Sequence, residues 1–380
     1  MSRPPSPAAP SAPVFSDTDR DMMRRALTLA AEGRFSTSPN PRVGCIIAHG
    51  GQIVGQGFHL KAGGPHAEVH ALRQAGENAR GATAYVTLEP CSHYGRTPPC
   101  AEALIQAGVS RVVAAIADPN PQVAGKGLAM LSAAGIRTES DLLETEAREL
   151  NRGFLSRIER GRPFVRVKCA ASLDGKTALS DGLSKWITGE AAREDVQILR
   201  AESCAVVTGV GTVLADNPQL NVRAFPTVRQ PVRVIADSRL QTPPNCRIIR
   251  DGGSPVLIAT LSQDADRLNA FSRFPHVEII RPSEKDGRID LADLLKILAA
   301  KGCGEVMVEA GAVLSSAFLA EDLADELVLY QAPKILGCPG RSMFTLPENP
   351  AALTESPRWE TRSVEILGGD IKWILRKTMG

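Results

Sequence analysis

One histidine, one glutamate and two cysteines form a pattern that can hold a metal ion and move a proton. His66 and Glu68 lie two positions apart in GGPHAEVHALRQAG, where an Ala/Leu-rich helix begins. Cys91 and Cys100 each follow a proline in TLEPCSHYGRTPPC, and Cys100 stands where another helix begins. Three protein ligands of these types leave a fourth position free for water, which is the composition of a catalytic zinc site.

The residue types predict hydrolytic deamination. Zinc held by two thiolates and one imidazole lowers the pKa of bound water towards about 7, and the hydroxide attacks an amidine-like ring carbon. Glu68 is expected near the metal without ligating it, where it carries a proton from the water to the departing amine. Zinc deaminases combine HxE with PC and a second cysteine in CxxC spacing. Here eight residues separate the two cysteines, so the intervening loop is longer.

Other interpretations of this segment stay open. HAE alone is also typical of the polar face of an amphipathic helix, and His70 is interpreted as a helix-face residue without a role. A zinc-stabilised binding protein without turnover would carry the same three ligands, as would a deaminase for another aminopyrimidine or purine.

Composition limits the classes of partner. The chain has 380 residues, a length that predicts two domains. Its formal net charge of +2 does not indicate binding to nucleic acid or to a membrane surface. Residues 1–16, MSRPPSPAAPSAPVFS, predict a disordered tail rather than a secretory signal, and no run approaches the roughly 20 apolar residues of a membrane helix. We therefore expect a cytoplasmic protein with reduced cysteines.

Hydrophobic periodicity and turn signals predict the helices and strands that position the ligands. An α/β protein is predicted, with one domain over 17–160, a boundary near Gly161 and a second domain over 161–380. One continuous charged helix is predicted over EARELNRGFLSRIER, just before that boundary. The remaining predicted helices cover 17–32, a segment from His66, 99–107, 290–299 and 312–320, and the predicted strands cover 42–48, 52–59, 82–88, 111–117, 205–208, 232–236, 256–259 and 305–309.

The second half carries weaker signals for chemistry. GVGTV lacks the third glycine of a dinucleotide fingerprint. In EAGAVLSSAF, Gly311 ends a strand and opens a helix, so free backbone N–H groups and Ser315–Ser316 predict a phosphate site. An ordinary strand-to-helix turn explains the same residues, and the segment alone leaves both interpretations open.

Longer motifs resemble a known family. SPNPRVGC, HAEVHAL, TLEPCSHYGRTPPC, DPNPQVAGKGL, GRPFVRVKCAASLDGKTA, SKWITG, GVGTVLADNPQLNVR, VEAG and DELVLYQAPKILG, in this order, resemble the RibD family of bifunctional riboflavin-biosynthesis proteins. The resemblance covers nearly the whole chain beyond the tail. It implies an N-terminal cytidine-deaminase-like α/β/α layer and a C-terminal dihydrofolate-reductase-like α/β domain. It also implies a phosphorylated aminopyrimidine substrate, Zn²⁺, NADPH and a tendency to form homo-oligomers.

The resemblance also implies roles for individual residues. Zinc is assigned to His66, Cys91 and Cys100, with Glu68 as proton shuttle. Deaminase-substrate contacts are assigned to Asn40, His59, His93 and Arg96. NADPH contacts are assigned to Ala170, Trp186, Thr212, Asp216, Ser238, Gly311, Ala312, Val313, Leu314, Ser315, Ser316 and Ala317. The substrate of the reductase is assigned to Lys168, Ser184, Arg200, Leu220, Arg223 and Glu309. Lys168 is the candidate general acid, with Asp216 and Glu309 as alternatives, and a chain with only one active half remains a further alternative.

Overall fold

The computed structural model describes residues 15–94, 98–121, 123–346, 356 and 358–377. The chain divides into two compact units, the first ending at Asn151 and the second beginning at Arg152. The sequence places the boundary near Gly161, and the helix Arg152–Arg160 lies between these two positions. The predicted two-domain α/β architecture is confirmed.

The first unit is a five-stranded sheet covered by helices in the described residues. Its strand order is β2-β1-β3-β4-β5, in which β1 pairs antiparallel with β2 and β3, and the pairs β3–β4 and β4–β5 are parallel. The strands are β1 Gly44–His49, β2 Gln52–Phe58, β3 Thr83–Val86, β4 Arg111–Ala114 and β5 Arg137–Glu139. The helices are α1 Asp17–Ala31, α2 Ala67–Ala75, α3 Cys100–Ala107, α4 Lys126–Ala133 and α5 Glu144–Leu150, with 3₁₀ turns at Glu32–Phe35 and Gly76–Ala79.

Local sequence explains how this unit begins. Ser16 caps α1 by accepting from the Asp19 N–H at 3.1 Å, and Asp19 completes a capping box, which confirms the predicted helix start. Gly50 and Gly51, both with positive φ, form the turn between β1 and β2, as the HGG signal predicts. The strand and helix order predicted for this half is therefore confirmed up to β4.

Small residues bring α2 close to the sheet, and α2 is the helix that begins after His66. A Cβ added at Gly55 would lie 2.2 Å from the Ala71 carbonyl oxygen, and one at Gly57 would lie 2.7 Å from the Ala67 carbonyl oxygen. Any larger side chain on these β2 positions would push the helix away. The two glycines therefore fix the depth at which the start of α2 sits on the sheet.

The helix predicted over EARELNRGFLSRIER is wrong as one continuous element. It is divided at Asn151, which leaves the helical conformation with φ −107° and ψ 16°. The Asn151 side chain accepts from the Arg42 N–H at 2.8 Å and donates to the Arg42 carbonyl oxygen at 2.9 Å. These tertiary bonds stop α5, and the next helix begins at Arg152.

The second unit is a nine-stranded sheet in the described residues, in the order β11-β10-β9-β8-β14-β6-β15-β18-β17. Pairing is parallel from β11 to β15, and β18 and β17 add antiparallel strands at one edge. The strands are β6 Phe164–Ser172, β7 Lys176–Ala178, β8 Ala205–Gly209, β9 Val232–Ala236, β10 Val256–Ala259, β11 Val277–Ile280, β12 Glu284–Lys285, β13 Arg288–Ile289, β14 Glu305–Glu309, β15 Glu326–Ala332, β16 Arg341–Ser342, β17 Trp359–Leu367 and β18 Asp370–Lys377. The helices are α6 Arg152–Arg160, α7 Glu190–Glu202, α8 Val210–Asp216, α9 Arg247–Arg250, α10 Ala265–Asn269, α11 Leu291–Ala300 and α12 Ala312–Ala320.

Helices bury both faces of this sheet. Val207 and Val308 point into a core completed by α11 and α12, and Val206 and Met307 point into a second core completed by α7. Because parallel strands buried on both faces read as continuous apolar runs, the strands β8, β9, β10 and β14 are predictable from sequence. No helix in the described ranges is long and apolar enough to cross a membrane.

Candidate metal centre and reductase cavity

Three side chains of the first unit converge at the starts of two helices. His66 is the residue before α2, Cys100 is the first residue of α3, and Cys91 lies in the loop after β3. The His66 Nδ1 atom lies 3.6 Å from the Cys91 Sγ and 3.3 Å from the Cys100 Sγ. The Cys100 N–H donates to the Cys91 Sγ at 3.3 Å. The structure thus brings together the three side chains that the sequence predicts as ligands.

This donor set fits zinc. Tetrahedral zinc with Zn–S about 2.3 Å and Zn–N about 2.0 Å separates its sulfur and nitrogen ligands by about 3.5 Å. The three ligand atoms all lie within 4.8 Å of one another. The hydrogen bond from the Cys100 side chain lowers the pKa of the Cys91 thiol, and His66 acts in the same direction. The same bond and burial raise the pKa of the Cys100 thiol. Without a metal ion the pair therefore favours one thiolate, at Cys91, which is the form that binds metal.

The buried glutamate Glu68 lies beside this cluster. Its side chain is buried, and its Oε2 atom has no hydrogen-bond partner in the part of the chain that the structure describes. Burial raises the pKa of the Glu68 carboxyl group. A carboxyl group of this kind takes up a proton more readily near neutral pH than an exposed glutamate does.

A second buried carboxylate fixes the loop that carries Cys91. Glu89 accepts from the N–H groups of Asp118 at 3.0 Å and Gly125 at 2.9 Å through Oε2. It accepts from those of Gly127 at 2.8 Å and Leu128 at 3.2 Å through Oε1. The sequence alone does not indicate a role for Glu89, because its partners are backbone groups that leave no residue-type signal. Its position two residues before Cys91 in TLEPC is the only local hint.

Asn40 and His59 form a hydrogen-bonded pair near the cluster. The His59 Nδ1 atom lies 3.0 Å from the Pro65 carbonyl oxygen, which only accepts, so Nδ1 carries the proton. The His59 Nε2 atom then accepts from the Asn40 Nδ2 atom at 3.1 Å. The His59 and His66 rings meet edge to face, with centroids 5.5 Å apart. This arrangement directs the Asn40 amide nitrogen to His59.

The other two residues assigned to the deaminase pocket are His93 and Arg96. His93 is exposed. Arg96 lies outside the described residues. Near them, the exposed Tyr94 side chain donates to the Glu102 carboxylate at 2.6 Å.

The second unit contains a large cavity at the carboxyl edge of its parallel strands. Its volume is about 1520 Å³. Predicted residues that line it are Lys168, Ala170, Ser184, Trp186, Arg200, Thr212, Asp216, Leu220, Arg223, Ser238, Glu309, Gly311, Ala312, Val313, Leu314 and Ala317. Ser315 and Ser316 do not line it. Both are buried: the Ser315 hydroxyl donates to the Ala310 carbonyl oxygen at 3.3 Å, and the Ser316 hydroxyl accepts from the Thr345 N–H at 2.7 Å.

An ion-paired carboxylate lies in the wall of this cavity. Arg200 donates to Glu309 through two nitrogens, at 2.9 and 2.8 Å, and the Lys168 Nζ lies 3.8 Å from Glu309. Burial acts to raise the pKa of Glu309, but the charges of Arg200 and Lys168 outweigh it and lower the pKa to about 2. Glu309 is therefore an ionised acceptor at neutral pH.

The start of α12 meets the first turn of α8, the helix that follows β8, at the same edge. The Gly311 N–H donates to the Thr212 hydroxyl at 3.2 Å. Trp186, 63% exposed, stacks with the Arg193 guanidinium at 4.7 Å from its ring centroid. Several cationic residues of the wall are not indicated by the sequence motifs, among them Arg193, Arg239 and Arg288.

Comparisons with known proteins find a family match in each unit. The family model described as "Cytidine and deoxycytidylate deaminase zinc-binding region" matches residues 16–116. The family model described as "RibD C-terminal domain" matches residues 163–373. The RibD proteins of Haemophilus influenzae and Escherichia coli are 50% and 47% identical to this chain. The first match covers 94% of this chain and 97% of the relative, and the second covers 93% and 98%.

Solved structures give the same result. Acinetobacter baumannii RibD superposes with a TM-score of 0.86 at 46% identity, covering 95% of this chain and 99% of that one. A Thermotoga maritima diaminohydroxyphosphoribosylaminopyrimidine deaminase/5-amino-6-(5-phosphoribosylamino)uracil reductase superposes with a TM-score of 0.85 at 35% identity, with the same coverage. The chain belongs to the RibD family of riboflavin-biosynthesis proteins.

Proposed function

We propose that the first unit hydrolyses the 2-amino group of 2,5-diamino-6-(5-phosphoribosylamino)pyrimidin-4(3H)-one. The second unit then reduces the ribosyl group of the product, 5-amino-6-(5-phosphoribosylamino)uracil, to a ribityl chain. The family makes the protein a deaminase and a reductase of riboflavin biosynthesis, with Zn²⁺ and NADPH as cofactors. The observation that carries the proposal is the convergence of His66, Cys91 and Cys100 beside the unpartnered Glu68 oxygen.

In the deaminase, the three ligands hold the ion and Glu68 moves protons. When bound, zinc supplies a nucleophilic water at neutral pH. Glu68 would accept a proton on Oε2 and return it to the leaving amine. Its burial and its raised pKa support both steps, because a shuttle must accept and release a proton near the operating pH.

Asn40, His59, His93 and Arg96 hold the substrate in this proposal. The Asn40 Nδ2 atom is bonded to His59, so the side-chain oxygen of Asn40, Oδ1, is left to accept from a ring N–H or an amino group of the substrate. Arg96 contributes a cation for the phosphate or a ring carbonyl.

In the reductase, Lys168 is our candidate for the general acid at the sugar oxygen. Glu309 is a weaker candidate, since its pKa of about 2 leaves it without a proton at neutral pH. It instead orients the Lys168 and Arg200 side chains towards the substrate. Asp216 remains the second alternative, and Ser184, Leu220 and Arg223 complete the substrate contacts.

NADPH would lie along the carboxyl edge of the sheet and supply the hydride. Ala170, Trp186, Thr212, Asp216 and Ser238 are proposed to contact it. Its phosphates are proposed to lie along 311–317, where the start of α12 presents free backbone N–H groups. The free N–H groups are those of the first turn, because the Ser315 N–H donates to the Gly311 carbonyl oxygen at 3.2 Å. Ser315 and Ser316 are proposed to support this turn from inside the unit, where their hydroxyls are engaged.

Partners and compartment follow the same proposal. The net charge of +2 supports a small phosphorylated substrate rather than nucleic acid. All eight cysteines are described and free, which supports a reducing cytoplasm. The outer edge of β17, with Ile366 80% and Val364 49% exposed, supports a homo-oligomer. A monomer by sedimentation velocity at micromolar concentration would contradict that last point.

Product analysis by mass spectrometry tests the two reactions together. We expect ammonia and the deaminated uracil without NADPH, and the ribityl product only with it. The Glu68→Gln variant should retain zinc, lose ammonia release and still reduce supplied 5-amino-6-(5-phosphoribosylamino)uracil. No ammonia from zinc-loaded wild type would refute the substrate assignment.

A further inference from the structure

A buried tyrosine behind Lys168 has no role in the chemistry described so far. Tyr330 of β15 is fully buried, and its ring lies in the cavity wall. The Lys168 Nζ atom lies over the face of this ring, 5.8 Å from its centroid. An ammonium group within about 6 Å of a tyrosine ring is attracted by the negative face of the ring. Tyr330 therefore attracts the side chain that is our candidate for the general acid.

Strand register places the two side chains on one face of the sheet. Lys168 of β6 pairs with Val328 of β15. Two positions further along, Ala170 pairs with Tyr330, which also pairs with Lys372 of β18. Because paired residues and residues two positions apart point to the same face, Lys168, Tyr330 and Lys372 share one face. Helix α7 covers this face, since residues of α7 pack into the same core as Val328 and Tyr330.

A buried ion pair fixes the orientation of the Tyr330 ring. The Tyr330 hydroxyl donates to the Asp195 carboxylate of α7, and the Lys372 Nζ atom lies 2.7 Å from the same carboxylate. Lys372 thus neutralises the charge that Asp195 brings into the core. Burial and the bond to Asp195 raise the pKa of Tyr330, so the phenol keeps its proton at neutral pH. The ring can therefore act on Lys168 through its face but not as an acid.

The other neighbour of Lys168 leaves its ammonium group loosely held. Arg200 makes two short bonds to Glu309, at 2.9 and 2.8 Å, whereas the Lys168 Nζ atom stays 3.8 Å from that carboxylate. In the described part of the chain, Lys168 has this ion pair and the ring contact but makes no hydrogen bond. A lysine has a flexible four-carbon stem, so the Tyr330 ring limits the positions that the ammonium group can take.

We propose that Tyr330 is a positioning residue of the reductase, whose ring holds the Lys168 ammonium group against the sugar oxygen of the substrate. The inference rests on the proposed reductase function. In that reaction Lys168 gives its proton to the sugar ring oxygen as the bond from that oxygen to C1′ breaks. C1′ receives the hydride that NADPH supplies, and solvent returns the proton to Lys168. Asp195 and Lys372 act indirectly, because they fix the ring.

Steady-state kinetics of the full-length protein test this proposal, with NADPH and 5-amino-6-(5-phosphoribosylamino)uracil as substrates. Tyr330→Leu removes the ring and should lower the reductase kcat by about 5- to 30-fold, with the KM for both substrates unchanged. Tyr330→Phe keeps the ring and should restore most of that loss. Phe271→Leu removes another buried ring of the same core, outside the cavity lining, and is the matched control that should leave kcat unchanged.

A double-mutant cycle separates this inference from the general-acid assignment. If the ring acts through the ammonium group, Tyr330→Leu should lower kcat no further in a Lys168→Met background. An equal loss in both backgrounds, or a wild-type kcat in Tyr330→Leu alone, would overturn the positioning role and leave Lys168 as the general acid. A wild-type kcat in Lys168→Met would refute the general-acid assignment and the positioning role together.

Fluorinated phenylalanines at position 330 provide a test that does not depend on the folding of Tyr330→Leu. Each added fluorine weakens the negative face of the ring and changes its shape little. The reductase kcat should fall stepwise from phenylalanine to its mono-, di- and trifluorinated forms, while urea unfolding followed by tryptophan emission stays constant. A constant kcat along this series would show that the ring only fills space, which would overturn the proposal.

Discussion

Replacing Glu89 by glutamine should destabilise the first unit and weaken its metal site, although Glu89 is assigned no chemical role. Its two carboxylate oxygens accept from four backbone N–H groups. Glutamine keeps one oxygen and turns an NH₂ group towards the other two donors. Each buried donor left unmet costs about 1–3 kcal/mol. Since only the bond from Gly127 is fully buried, we expect a loss of about 2–4 kcal/mol in the free energy of unfolding.

Loss of the hydrogen bonds to Glu89 should also weaken metal binding, because the metal ligand Cys91 lies two residues further along the same loop. Because groups that orient metal ligands contribute about 10- to 100-fold to metal affinity or activity, zinc affinity in a chelator competition should fall by that factor. Ammonia release should fall with it at limiting zinc. Reduction of supplied uracil substrate should stay at the wild-type rate, because Glu89 belongs to the first unit.

Urea unfolding can follow the two units separately. All three tryptophans, Trp186, Trp359 and Trp373, belong to the second unit, so their emission reports that unit, whereas far-UV circular dichroism reports both. Glu89→Gln should shift a dichroism transition and leave the tryptophan transition in place. Glu77→Gln, at an exposed glutamate of the first unit, is the matched control. If Glu89→Gln unfolds like this control and keeps its zinc affinity, the four hydrogen bonds to Glu89 do not fix the loop that carries Cys91.

Three further results are expected. Glu68→Gln should lower deaminase kcat by about 10²- to 10⁴-fold with unchanged zinc content by elemental analysis, and a loss confined to KM would contradict proton transfer. Glu309→Gln should destabilise the second unit by about 3–5 kcal/mol in urea, because it leaves Arg200 with an uncompensated buried charge. Glu309 has a depressed folded pKa, so its stabilisation is present above the unfolded pKa of about 4.3 and is lost as pH falls towards about 2. Acid titrations of tryptophan emission should show a smaller pH dependence in Glu309→Gln, and an unchanged slope would refute the assignment. Chelation of zinc should stop ammonia release and spare NADPH oxidation on supplied uracil substrate, and parallel loss of both activities would contradict separate sites.

Local signals explain which parts of the site are predictable from sequence. His66 and Cys100 stand at helix starts that the Ala/Leu-rich runs reveal, and the proline before each cysteine marks the loop. Glu89 is different, because its partners are backbone N–H groups far along the chain. Arg288 also carries no local signal, since its place in the cavity depends on a bond between Ile289 and Ser238.

Elements of the fold are likewise predictable only where the local sequence carries a signal. Apolar runs bounded by turns predict β8, β9, β10 and β14, which are buried on both faces. The predicted strands do not include β17 or β18, whose alternating polar residues lie at a sheet edge. The break at Asn151 is invisible in helix periodicity, because the competing partners are the backbone groups of Arg42.

Strand order in the second unit also determines when it can be completed during synthesis. β6 begins at Phe164, but its two neighbours in the sheet are β14 and β15, the latter ending at Ala332. The nascent β6 therefore stays without either partner while most of the unit is translated, and pairing across such sequence separations is slow. The first unit has its own sheet and core and needs no later strand, so its folding precedes that of the second. A translational pause before β14 is synthesised, at Glu305–Glu309, is thus expected to leave both edges of β6 open to chaperones or aggregation.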